Sequence, residues 1–74
     1  MSDFSPSETE VFIDTDDIFC SGDATGMVIT YTDGCPVEQL SKFLVLAHTK
    51  NFDMQEQWFD TELKRNVLCF GDVK

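Results

Sequence analysis

Basic residues are few and late in this chain: five in 74 residues, against fourteen acids, with none before Lys42. That shortage argues against direct contact with nucleic acid or anionic lipid, since both are polyanions that repel an acidic chain. Cysteine is sparse as well, with Cys20, Cys35 and Cys69 widely spaced and no Cys-x-x-Cys pair. An odd, scattered set does not make a disulfide scaffold, and it lacks the close ligand pairs of structural zinc sites. Only one histidine, His48, is present, and no Ser–His–Asp set is evident around it. The longest apolar run, Phe43–Ala47, is far too short to span a bilayer as a helix. The opening MSDFSPSETE has no basic start followed by an apolar stretch, as a signal peptide would. These absences together read as a cytoplasmic, reducing environment.

What the chain has is acid, unevenly placed. Nine acids precede Lys42, whereas five acids and five bases share the remainder, so the net charge of −9 belongs to the first 41 residues. Apolar residues make up 42% of the chain and nine residues are aromatic, which predicts a folded core in spite of the charge. The expected organisation is a loose lead-in over residues 1–9 and a single domain over residues 10–74.

Hydrophobic periodicity predicts strands at residues 10–14, 18–21 and 27–32. The last is the clearest, with Met27, Ile29 and Tyr31 alternating against Val28, Thr30 and Thr32. Thr15–Asp17 reads as a tight turn or bulge, and Gly22–Gly26 as a turn. A helix is predicted from Pro36, in its first position, to about Lys50 and Asn51. Val37, Leu40, Phe43, Leu44 and Ala47 give it an apolar face, and Val45 and Leu46 imply packing on more than one side. For residues 53–65, Asp53 with Glu56 resembles a capping box, and Met54 with Trp58 makes a helical stripe, so a second helix is favoured. The alternative is a strand through 57–61 pairing with 67–70. Val67–Phe70 reads as a buried final strand. The sum is α+β: a small antiparallel sheet in the order β-β-(β)-α-α-β, with one or two helices on one face.

Asp14, Asp16 and Asp17 offer oxygens to a hard cation, but continuing a calcium loop puts Ile18 and Thr25 at its fifth and twelfth positions, where oxygen ligands are required. No metal or other cofactor is implied. Gly22 and Gly26 flank no lysine and make no phosphate loop. Cys35 before a helix invites a lowered thiol pKa. His48, however, lies about 20 Å further along the same helix at 1.5 Å per residue, which removes the base that a nucleophile would need. Catalysis is therefore not expected.

The remaining signal is electrostatic. Asp14, Asp16, Asp17, Asp23 and Asp33 are the candidate residues, as carboxylates facing lysine and arginine on a basic protein partner. Same-face residues of a strand stand roughly 6.6–6.8 Å apart, within about a factor of two of the phosphate repeat along a DNA strand, so nucleic-acid mimicry is one form this takes. The expected function is that of a small acidic inhibitor, of the size seen in phage or mobile-element proteins, blocking a nucleic-acid-handling protein. The alternative is an assembly subunit that forms homodimers through its aromatics and is acidic for solubility. Phe52, Trp58, Phe59 and Phe70 are expected in the core, with Trp58 the best candidate for a contact.

Overall fold

A computed structural model describes residues 9–72. The predicted lead-in lies outside these residues except for Thr9. The described chain forms β1 (Glu10–Asp14), β2 (Ile18–Gly22), β3 (Gly26–Tyr31), α1 (Val37–Thr49), β4 (Phe52–Asp60) and β5 (Arg65–Asp72). All five strands join one antiparallel sheet in the order β1-β2-β3-β5-β4, so the fold is α+β.

β2 and β3 follow from alternation, whereas in β1 a register shift puts Val11 and Ile13 on opposite faces of the sheet. Ile18 and Cys20 of β2 face the core, as do Met27 and Ile29 of β3, and the register pairs Cys20 with Ile29 and Ile29 with Leu68 of β5. Ile18, Cys20 and Ile29 are wholly buried. Burying a side chain such as Ile29 contributes roughly 1.5–3 kcal/mol. Phe43 and Ala47 of α1, Phe52 of β4 and Leu68 complete the cluster.

The helix begins one residue later than its sequence suggests. Pro36 has an extended ψ of 133° and serves as the N-cap, its carbonyl accepting from the N–H groups of Gln39 and Leu40. Asn51 takes the left-handed conformation (φ 63°) just past the helix end, as its short polar side chain permits. Packing on several sides is not found: Val37 is 75% and Val45 62% exposed, so α1 buries one stripe against the sheet.

The second predicted helix is a strand. Residues 52–60 form β4, which pairs along its length with β5, and the β5 strand predicted at 67–70 extends to Arg65–Asp72 in an inner position. A register shift between Met54 and Glu56 explains the false helical signal. One inserted residue breaks the two-residue period, so Met54 and Trp58 sit four apart yet on opposite faces of the sheet. The turn into β5 is closed by Asp60, whose Oδ1 accepts from the N–H groups of Glu62 (2.9 Å) and Leu63 (3.0 Å), with Lys64 at φ 57°.

Candidate functional site

The strand order decides where the acids go. β1, β3 and β4 all run toward the same end of the sheet, which therefore holds the β1–β2 turn, the β3–α1 loop and the β4–β5 turn. Asp14, Asp16, Asp17 and Asp33 of the sequence-predicted set lie there. They are joined by Glu38 in the first turn of α1, by Asp60 and by Glu62. Against these seven carboxylates the same end carries Lys64 and Arg65. Asp23 does not belong with them. It sits in the β2–β3 turn at the opposite end, a five-residue strand away, or about 17 Å at 3.3–3.4 Å per residue.

Thr15 shapes the first acidic turn. Its N–H donates to Ile18 O (2.9 Å), and its Oγ1 accepts from the N–H groups of Ile18 (3.1 Å) and Asp17 (3.3 Å). Asp17 is pinned to the neighbouring strand end, its Oδ1 accepting from Thr32 Oγ1 and its carbonyl from the Thr32 N–H. Arg65 crosses from β5 and donates to the carbonyls of Thr15 and Asp16. The turn is thus built by Thr15 and backbone bonds and anchored by Asp17 and Arg65. Asp23, like Asp60, closes its own turn: Oδ1 accepts from the N–H and Oγ1 of Thr25, both at 2.8 Å, and from the Gly26 N–H at 3.1 Å. The Thr25 bonds, backbone first, hold its carboxyl below the usual range.

Helix α1 covers one face of the sheet. By register, the other face carries Val11, Phe19, Val28, Thr30, Val67, Cys69 and Trp58. Asp14 stands at its β1 margin, and Glu56 and Asp60 at its β4 margin. Val67 is only 6% exposed although it lies outside the helix-side cluster, because Thr30 and Trp58 flank it in register. Trp58 itself is 46% exposed. The core expectation holds for Phe52 and for Phe70, which packs against the cluster, but not for Trp58 or Phe59. Both sit on an edge strand, which has a neighbour on one side only; Trp58 lies on the face opposite α1, and Phe59 lies on the helix face but outside the core cluster.

The thiols are not activated. Burial pushes Cys20 up to about 11 and raises Cys69, where Glu56 adds to the effect. Cys35 is raised too, by burial and then by Asp17, which overturns the lowered value expected from the helix start. Among the described residues, no three His, Cys, Asp or Glu side chains are grouped to hold a metal ion. A shallow recess of about 370 Å³ lies between Ser21, Thr25, Val28 and Phe70, and its one carboxylate, Asp23, is committed to the turn. No helix among the described residues is long and apolar enough to cross a membrane.

Asp60 and Glu62 were hidden from sequence reasoning, which counted the second half of the chain as neutral, whereas Glu38 was counted among the early acids but not placed with the candidate residues. Finding the first two required the β4–β5 hairpin, whose turn contains no glycine or proline. The chain matches no family model, no curated protein and no solved structure.

Proposed function

We propose that this protein is a non-catalytic binding module that engages a basic protein through the carboxylate-rich end of its sheet and the adjoining face, which no element among the described residues covers. The observation that carries this reading is the convergence, among the described residues, of seven carboxylates from two strand ends, three connections and the first turn of α1 on one end of the sheet. Like charges gathered in a small domain repel one another and reduce its stability, and a basic partner relieves that repulsion. The uncovered face supplies what charge alone does not. Its apolar centre around Phe19, Val28 and Trp58, with acids at the margins, has the composition of an interface core and a charged rim. Inhibition of a nucleic-acid-handling protein is the specific form we favour, because a row of carboxylates along one end of the sheet offers a basic groove the same sign of charge as a phosphate row.

Homodimerisation through the aromatics is the second reading, favoured by the exposure of Trp58 and Phe59. A two-fold contact would bring the acidic margins of two copies together, and that weighs against it.

The test is capture of partners from lysate at low and moderate salt, with the wild type and an Asp14→Asn, Asp16→Asn, Asp17→Asn variant. One basic partner should be retained by the wild type at low salt and weakened by about tenfold or more, both in the variant and with added salt. A partner held equally by both proteins at either salt concentration would refute the electrostatic reading. Sedimentation showing a dimer insensitive to salt would favour the second.

A further inference from the structure

Strand β4 ends the sheet, so one side of its backbone has no neighbouring strand among the described residues. At nine residues it is much longer than the other edge, β1, which has five and is interrupted between Val11 and Ile13. Natural edges are commonly guarded by lysine, proline or an irregularity. β4 contains neither lysine nor proline, and its one irregularity, at Gln55, leaves residues 56–60 in unbroken register. Beyond the buried Phe52, its large side chains are out in solvent: Met54 is 45%, Trp58 46% and Phe59 50% exposed.

Building on the basic partner above, we propose that β4 accepts an extended segment of that partner as a sixth strand, bearing lysine or arginine on either side of an apolar residue. Charge selects this occupant over a second copy of the chain. The outer row of the uncovered face reads Glu56, Trp58, Asp60, and a copy of β4 would set acids against acids. An incoming strand with basic residues four apart and an apolar residue midway places each base beside a carboxylate and the apolar side chain against Trp58. Main-chain hydrogen bonds supply affinity and the alternate side chains supply selection, as in other strand additions. The carboxylate-rich end lies just beyond Asp60 and draws the basic segment toward this edge.

The test uses a seven-residue synthetic peptide with lysine at the second and sixth positions, valine at the fourth and threonine elsewhere. Two analogues are methylated on alternate backbone nitrogens, one set at the even positions and one at the odd. Only one alternate set of N–H groups in an added strand points at its neighbour. Followed by NMR titration of the intact protein, one analogue should bind about tenfold more weakly than the parent while the other matches it, with β4 amides shifting and gaining protection from exchange. Equal binding by both analogues would overturn strand addition and leave charge-driven binding standing. No binding by the parent peptide would also overturn it, whereas the basic-partner reading falls only if the lysate partner proves insensitive to salt and to the triple variant.

Discussion

The guanidinium of Arg65 donates to the backbone carbonyl of Asp16 at 2.6 Å. A second bond reaches the carbonyl of Thr15 at 3.3 Å, and the other terminal nitrogen donates to Thr30 Oγ1 at 3.4 Å. A cation beneath the acidic turn thus binds peptide oxygens from a position fifty residues away in sequence. Replacing Arg65 with methionine keeps much of the apolar stem and removes these bonds. The expected cost is about 1–2 kcal/mol in urea denaturation, since bonds with a charged donor exceed the ordinary value but this site is only half-buried. Amide exchange at Asp17 and Ile18 should accelerate more than exchange at Leu68, because the turn loosens before the core does.

Gly26 opens β3 directly against β5, and a Cβ there would come within 2.5 Å of the Phe70 carbonyl oxygen. The obstructing atom is backbone, so relief requires the two central strands to separate. Gly26→Ala is expected to lower stability by about 1–3 kcal/mol. Gly34→Ala, whose nearest neighbour would be 3.9 Å away, should change it little. Thermal melts of the two variants side by side check this.

The buried thiol of Cys20 gives stability a dependence on alkaline pH. Its pKa rises from 9.0 to about 11 on folding, so above pH 9 the unfolded chain has released a proton that the folded chain keeps. The contribution is fully present below pH 9 and is lost as pH rises toward 11, by on the order of 2 kcal/mol. Urea titrations between pH 8 and about 11 should show this decline. Cys20→Val, which keeps an apolar side chain of similar size, should show a shallower decline than the wild type.

Where one face of an element meets the core and the other meets solvent, its type was legible in the sequence. That covers β2, β3 and α1, whose apolar residues recur at two or at three and four; β1 was found from its apolar residues although the irregularity between Val11 and Ile13 breaks its alternation. β4 was illegible because both of its faces are largely exposed, so burial imposes no alternation, and the insertion at Gln55 shifts the phase midway. The candidate site was half legible for a related reason. Asp14, Asp16, Asp17 and Asp33 are close in sequence and are brought to one end by β1 to β3 alone. Asp60 and Glu62 arrive there only once residues 52–60 are a strand. Asp23 was grouped with Asp14, Asp16, Asp17 and Asp33, though it stands at the opposite end, because local acid density does not reveal which end of a hairpin a turn occupies. Its pairing with Thr25, two residues on, was the available clue that it closes a turn.

The insertion of β5 between β3 and β4 has a consequence for how the chain reaches this state. β1 to β3 are joined by short turns and α1 forms locally, so these parts assemble from near neighbours. The β3–β5 ladder instead joins residues as far apart as Gly26 and Gly71, and it cannot form until the intervening helix and the β4–β5 hairpin have swung into place. Closing that long loop costs entropy before any pairing offsets it, which makes docking of the hairpin the natural rate-limiting event. Until it occurs β3 is itself an edge, with Met27 and Ile29 uncovered on the side that β5 will occupy. The interval before docking is when this small, otherwise self-repelling chain is most exposed to misassociation.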